Sequence, residues 1–332
     1  MSAIEMSPEA KVLMKSQGWT SGFVAFGFSA SESTVKLALA MTVTGMPVKW
    51  VTLSFSDAPL SGVEGVDPNF LTPGSIATMG VKSDAWKLLS AGKACMPALA
   101  IDGQLYMESE EIVKMLATQS AVAPEVMELI DLSRDSNASL LEAVKHWGWS
   151  ALHASQSYAM VNAEHYISFG QGVKDAAWEM GKVAMIKAFL GKCEAVLAAK
   201  PSVNGFYVGD SLTLADACLI NWPLSLSGVA GLDVAAEFPK VWANWEATKA
   251  APPKGTEPFI FGFPMFCDYV AGANKAAREG GFDINSYFLK EKELKAYLDQ
   301  FGVRDTLSKA VAAVLRDRPA NPLLAIAESL KA

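Results

Sequence analysis

The chain has 332 residues and a formal net charge of −7, since 28 Lys and Arg stand against 35 Asp and Glu. At about 150 residues per domain, this length predicts two domains and a smaller appendage. Hydrophobic residues make up 51% of the sequence and charged residues 19%, a balance typical of a soluble globular protein. The negative balance opposes binding to a phosphate backbone, so we expect no nucleic-acid partner.

Cysteine spacing and hydropathy exclude further classes. The four cysteines have no C-x-x-C spacing, which argues against a zinc knuckle or a secreted disulfide framework and predicts a reducing compartment. Met1 to Gly18 has no signal-peptide core, and the apolar stretch Leu212 to Leu232 is broken by Asp216 and Pro223, so we expect no membrane insertion. The histidines lack ligand-like spacing and predict no metal site; they are His146, His153 and His165.

The first structured region begins with a β-α-β pattern. Gly22 to Phe28 and Pro47 to Phe55 are rich in β-branched and aromatic residues, and Thr34 to Met41 between them has helical spacing. A helix between two such strands predicts that the strands are parallel.

A β-β-α pattern completes this region. Ala98 to Ile101 and Leu105 to Met107 flank an Asp-Gly turn and predict a hairpin, and a helix is predicted from Ser109 to Leu116. Residues 57–91, between the two halves, are interrupted by Pro and Gly, and we expect a loop with short helices there.

Long helical patterns with no convincing strand occupy residues 123–251 and predict an all-α domain. Within it, Thr213 and Asp216 form a capping box before a buried helix. Residues 252–290 are rich in Gly, Pro and aromatic residues and are predicted to be a connector. They are too apolar for a free linker, so we expect them to pack on the body of the protein.

The C-terminal residues 291–332 predict a helical hairpin. Apolar residues recur at helical spacing on both helices; they are Val303, Leu307, Val311, Ile326 and Leu330. About 40 residues is below the size at which a lone core usually holds, so the pattern implies a partner copy. The alternative is a plain hairpin packed on the body.

Four segments together resemble cytosolic glutathione transferases over residues 20–250. These are Met96 to Gly103, Glu108 to Ile112, Phe206 to Asp216, and Phe238-Pro239 with Trp242 and Trp245. The resemblance implies an α/β thioredoxin-like, glutathione-binding N-terminal domain at 20–118 and an all-α glutathione-transferase C-terminal domain at 123–251.

The resemblance also implies a glutathione site. In that family the proline at the position of Pro97 is cis, and the backbone at the position of Met96 pairs with the cysteinyl unit. Glu108 and Ser109 match the family's motif at a helix N-terminus, where N–H groups and the dipole receive the γ-glutamyl carboxylate. Lys93 would meet the glycyl carboxylate. The alternatives are that Glu108 and Ser109 only cap their helix and that Lys93 is only solvated.

The chain departs from the family at the reacting end. Family enzymes carry a Tyr, Ser or Cys just after the first strand to stabilise or replace the glutathione thiolate. No Tyr stands there. Aligning Val35-Lys36-Leu37 with the family's V-R-L puts Ser29 at the catalytic position. The alternative is that Ser29 and Glu32 form a capping box for the following helix.

The tail resembles the Dpy-30 and RIIα dimerisation-docking motif, above all in its Arg318-Pro319-Ala320-Asn321-Pro322 turn. That family forms a dimeric four-helix bundle whose groove receives an amphipathic helix of an anchoring protein.

Two functional hypotheses follow. The first is an enzyme that binds glutathione and conjugates it to hydrophobic electrophiles, while its tail tethers a homodimer to an anchoring protein. The second is a non-catalytic scaffold that uses the transferase fold as a dimeric block in a larger assembly, such as an axoneme. Both predict a cytoplasmic protein, with a cilium or flagellum as a further expectation.

Overall fold

The computed structural model describes residues 3–28, 31–54, 79–80, 83–93, 95–144, 174–199, 204–220, 222–223, 226 and 232–281, together with 283, 286, 289, 293, 296–297, 299–317, 319 and 321–330. The chain divides into two compact units. One spans residues 1–171 and 175–281, and the other spans 172–174 and 282–332.

The larger unit contains a mixed sheet of five strands in the order β3-β2-β1-β4-β5. The strands are β1 (Phe23–Gly27), β2 (Val48–Ser54), β3 (Met79–Gly80), β4 (Ala98–Ile101) and β5 (Gln104–Met107). β1 and β2 are parallel, as are β2 and β3, whereas β4 runs antiparallel to both β1 and β5. The predicted β-α-β and β-β-α patterns are therefore present, and β3 adds an edge strand within the stretch that the sequence assigned to a loop.

Helices cover both faces of the sheet. Alternation along β1 sends Val24 and Phe26 into one core and Ala25 into the other. The core shared with Ala25 contains α2 (Glu32–Val43) and α4 (Ser109–Gln119), and the core shared with Phe26 contains α1 (Pro8–Ser16) and α3 (Asp84–Leu89).

The folded unit includes residues before position 20, where we expected the first domain to begin. Ile4 N–H donates to the Leu105 carbonyl at 2.8 Å, and Met6 and Met14 are buried in the same core as Phe26. Charged residues on the exposed side of α1 hide this packing from a search for apolar runs, because only one face of the helix is buried.

The helical part continues the core that α2 and α4 begin. It contains α5 (Pro124–Val144), α6 (Ala176–Ala199), α7 (Leu214–Leu219), α8 (Val234–Glu237) and α9 (Pro239–Ala250). Within the described part of 123–251 there is no strand, in agreement with the predicted all-α region. Among the described residues, no helix combines the length and apolar character needed to cross a bilayer.

Residues 252–290 differ from the connector that the sequence predicts. Most of this stretch is one helix, α10 (Glu257–Glu279), which includes Pro264. Phe259, Phe263 and Cys267 are buried in the core shared with α2, and the Phe259 ring lies 4.5 Å from the Trp50 ring. The expected packing onto the body is therefore present, but a helix makes it. Gly and Pro within this helix interrupt the apolar periodicity by which a helix is recognised in a sequence.

The smaller unit contains α11 (Val303–Asp317) and α12 (Pro322–Ser329). Gly302, at φ 59°, precedes α11, and the Asn321 side chain accepts from Leu324 N–H at 3.1 Å to cap α12. Ala310 of α11 is buried, whereas Leu307 remains 44% exposed.

Gly27 allows α2 to lie close to β1. A Cβ at this position would lie 2.6 Å from Thr34 Cγ2, and Thr34 Oγ1 accepts from Phe28 N–H at 3.3 Å. Gly27→Ala should therefore push α2 from the sheet and destabilise the fold by about 1–3 kcal/mol, measured by urea unfolding. Gly181→Ala is the control, since nothing lies within 4 Å there and a helical Ala gains up to about 1 kcal/mol. Equal midpoints for the two variants would contradict the close contact.

Candidate functional site

The hairpin register brings the predicted glutathione residues to one edge of the sheet. Ala98 pairs with Met107, so Pro97 before β4 and Glu108 after β5 lie just beyond the same end of the hairpin. Phe26 also pairs with Ala98, which brings the carboxyl end of β1 to that edge. Strand pairing thus joins three segments that are far apart in the chain.

The segment before β4 is held by the core on both sides of the sheet. The Met96-Pro97 peptide is cis, as the resemblance implies. Pro97 is buried, and the half-buried Met96 side chain packs against both cores. The Trp86 indole N–H donates to the Cys95 carbonyl at 3.1 Å and fixes the residue before Met96. Lys93 is exposed near this segment.

Glu108 and Ser109 begin α4 without closing its N-terminus. Glu108 is exposed, has the left-handed backbone angles φ 69° and ψ 99°, and makes no side-chain capping bond to the helix. Ser109 is the first helical residue and is buried. The first helical hydrogen bond runs from Ile112 N–H to the Glu108 carbonyl at 2.9 Å, so the earlier N–H groups of the turn remain for another acceptor. The alternative in which the Glu108 side chain serves as the cap does not fit this geometry.

Ser29, the predicted catalytic residue, lies outside the described residues. The N-cap of α2 is Ser31, and the helix begins at Glu32. Both the catalytic role of Ser29 and its alternative as a capping residue therefore stay predictions.

The sequence did not reveal a buried charge cluster behind α4. Lys36 of α2 forms an ion pair with Glu110 of α4, and both are almost fully buried. The Ser133 hydroxyl lies 3.1 Å from Glu110 Oε1, and Lys36 Nζ lies 5.5 Å from the centre of the Trp222 ring. Burial is the strongest single effect on the pKa of Lys36 and lowers it, but Glu110, Cys218 and Glu32 together outweigh burial, so this pKa lies above its ordinary value.

Thr213 and Asp216 form the predicted capping box of α7, away from the sheet edge. Asp216 Oδ2 accepts from Thr213 N–H at 2.8 Å and from the Thr213 hydroxyl at 2.7 Å. Oδ1 accepts from Tyr207 N–H at 2.9 Å and from the Asn244 amide at 3.1 Å. Burial raises the pKa of Asp216, and these four donors oppose the rise. Through the same bonds, Asp216 links the segments that contain Tyr207, Thr213 and Asn244.

The thiols of the larger unit have two environments. Cys193, Cys218 and Cys267 are buried, and burial raises the pKa of each, that of Cys193 to about 12. Cys95 is only half-buried. The first three are therefore poor nucleophiles at neutral pH. Among the described residues, no group of His, Cys, Asp and Glu could hold a metal ion, and the three histidines lie outside them.

The predicted docking residues are exposed in the smaller unit. Val303 and Val311 are each 37% exposed, and Leu330 is 46% exposed. Ile326 is half-buried. A single copy of the hairpin therefore leaves most of this apolar stripe in contact with solvent.

Comparison with known proteins finds a family match in the helical part. Residues 171–253 match the family described as glutathione S-transferase, C-terminal domain. The resemblance to glutathione transferases is thus supported for this region. No curated protein matches the chain. The family match ends before the tail, where the docking motif stays a prediction.

Several solved structures are similar to the chain. Ure2p in complex with glutathione is 14% identical, with a TM-score of 0.49, over 75% of this chain and 98% of that one. Glutathione transferase E6 from Drosophila melanogaster is 16% identical, with a TM-score of 0.46, over 76% and 97%. Glutathione S-transferase III in its apo form is 19% identical, with a TM-score of 0.44, over 75% and 97%.

Proposed function

We propose that the chain binds glutathione where the open end of the β4–β5 hairpin meets the N-terminus of α4. The observation that carries this proposal is the pairing of Ala98 with Met107, which brings Met96-Pro97 beside Glu108-Ser109. The family match of the helical part supports the same class of protein.

Each polar group of glutathione has a partner of suitable chemistry in this proposal. The γ-glutamyl carboxylate accepts from Ser109 and from the first N–H groups of α4, where the helix dipole favours an anion. Glu108 receives the γ-glutamyl ammonium, and the Met96 backbone pairs with the cysteinyl unit. Lys93 meets the glycyl carboxylate at the exposed rim.

Glu108→Ala should weaken glutathione binding about 10-fold to 100-fold. A charge-assisted hydrogen bond typically contributes ~1.5–3 kcal/mol, and the ammonium loses that partner. Isothermal titration measures the effect. Glu111→Ala is the matched control, because it removes the same charge from the same helical turn outside the proposed contacts. No heat from the wild-type protein at millimolar glutathione would exclude the binding proposal.

Ser29 is proposed to donate a hydrogen bond to the glutathione thiolate, which then attacks a hydrophobic electrophile. Ser29→Ala should raise the pKa of the bound thiol and slow conjugation at neutral pH, while glutathione affinity stays nearly unchanged. Ser31→Ala is the control, because Ser31 makes no side-chain capping bond. Equal conjugation rates for wild type and Ser29→Ala would exclude this role. A wild-type protein that binds glutathione without conjugating it would favour the scaffold hypothesis.

We also propose that the tail forms a homodimer and binds an amphipathic helix of an anchoring protein. The exposed stripe of α11 and α12 favours this proposal, since symmetric association commonly buries such a surface. In this reading a cytoplasmic transferase or scaffold is attached to a larger assembly, and a ciliary or flagellar axoneme is one such assembly.

Leu307→Asp should disrupt the tail dimer. A carboxylate in the bundle core costs several kcal/mol, which weakens self-association more than about tenfold. Sedimentation velocity over a concentration series, on residues 282–332 and on the full chain, measures this. Ser308→Asp is the control, because it adds the same charge at an exposed neighbouring position of α11. A monomeric wild-type tail would contradict the docking proposal.

A further inference from the structure

The buried pair of Lys36 and Glu110 lies directly behind the proposed anion site. Glu110 follows Ser109 in the first turn of α4, and its side chain points into the core rather than to solvent. Lys36 reaches it from α2, 74 positions away in the sequence. Of the two carboxylate oxygens, Oε1 contacts Lys36 and Ser133, and Oε2 has no hydrogen-bond partner among the described residues.

The first turn of α4 carries an excess of negative charge for a site that receives a carboxylate. Glu108, Glu110 and Glu111 are consecutive in the sequence except for Ser109. Glu108 is exposed, so solvent screens it, and in the proposed site it faces an ammonium. Glu110 is 5% exposed and is screened far less. An unpaired charge at Glu110 would therefore oppose the ligand more than the other two.

We propose that Lys36 is a positioning residue for the glutathione site. Lys36 neutralises Glu110 and so allows the N-terminus of α4 to bind the γ-glutamyl carboxylate. This inference rests on the proposed glutathione site. The inference means that Lys36, on a helix far from Glu108 in the sequence, contributes to glutathione affinity. The pair also fixes α4 against α2, because Lys36 is fully buried and cannot turn to solvent.

An electrostatic role of Lys36 and a merely structural role predict different effects of substitutions on glutathione affinity. The charged and titratable groups near the pair are Glu32 of α2, Cys218 of α7 and Glu111 of α4. None of them replaces the ammonium, since two are acids and the third is a buried thiol. In Lys36→Met, none of these groups compensates the buried Glu110 carboxylate, so its charge acts directly on an anion at the N-terminus of α4.

Lys36→Met should weaken glutathione binding about tenfold at neutral pH. The buried Glu110 carboxylate then lacks its counterion and repels the γ-glutamyl carboxylate through a weakly screened interior.

Isothermal titration at neutral pH tests the inference on four full-length variants. Lys36→Met should lose affinity, and Lys36→Met/Glu110→Gln should restore it because both charges are absent. Glu110→Gln alone should bind glutathione at least as tightly as wild type, because the buried ammonium is no longer neutralised. The control is Lys114→Met. It removes a half-exposed lysine of the same helix, whose Nζ lies 2.6 Å from Asp131 Oδ1 of α5, and should leave affinity unchanged.

The results separate this inference from the proposal on which it depends. A wild-type protein that does not bind glutathione overturns the binding site and the inference together. If the wild-type protein binds glutathione and Lys36→Met binds it with the same affinity, only the inference is overturned. The inference is also overturned if the folded double variant binds glutathione as weakly as Lys36→Met, or if Glu110→Gln loses affinity. Either result would show a structural pair, because such a pair is broken by the loss of either residue. Thermal unfolding confirms that each variant is folded, and Glu110→Gln keeps the test decisive if Lys36→Met does not fold.

Discussion

The antiparallel pairing of β4 with β1 is the constraint on which the candidate site depends. Because β4 runs against β1, the start of β4 lies at the carboxyl end of β1. The hairpin then returns the chain to that same edge, and α4 begins there. Had β4 been parallel to β1, the hairpin would still place Pro97 beside the first turn of α4, but both would lie at the opposite edge of the sheet, away from the carboxyl end of β1.

Burial on all sides of α2 links this edge to the helical part. Eight consecutive residues, Thr34 to Met41, are buried, because one side of the helix meets the sheet and the other meets α7 and α10. An ordinary surface helix has one apolar stripe, whereas Val35 to Met41 of this helix are apolar on every side except at Lys36. Lys36 is the charged exception, and it persists in this environment because Glu110 and the Trp222 ring surround it.

Local signals in the sequence predict most of the sheet and little of the charge cluster. The turn at Asp102 and Gly103 requires two positive φ angles, and Asp-Gly is a strong local signal for them. The sequence does not predict helix α10, because a proline such as Pro264 usually ends a helix. In the structure the helix continues through Pro264, and the burial of Phe259 and Phe263 stabilises it. The pair of Lys36 and Glu110 has no spacing that a sequence could display, since only the packing of α2 on α4 creates it.

In the proposed glutathione site, the left-handed backbone at Glu108 has opposite effects on fold stability and on ligand binding. An amino acid with a Cβ pays roughly 1 kcal/mol or more for such angles, and glycine does not. Selection for a more stable fold would therefore favour glycine at this position, and selection for ligand capture would retain the carboxylate. A homologue that has lost its ligand is free to relax this single residue, so the identity at this position distinguishes a fold kept for binding from one kept as a building block.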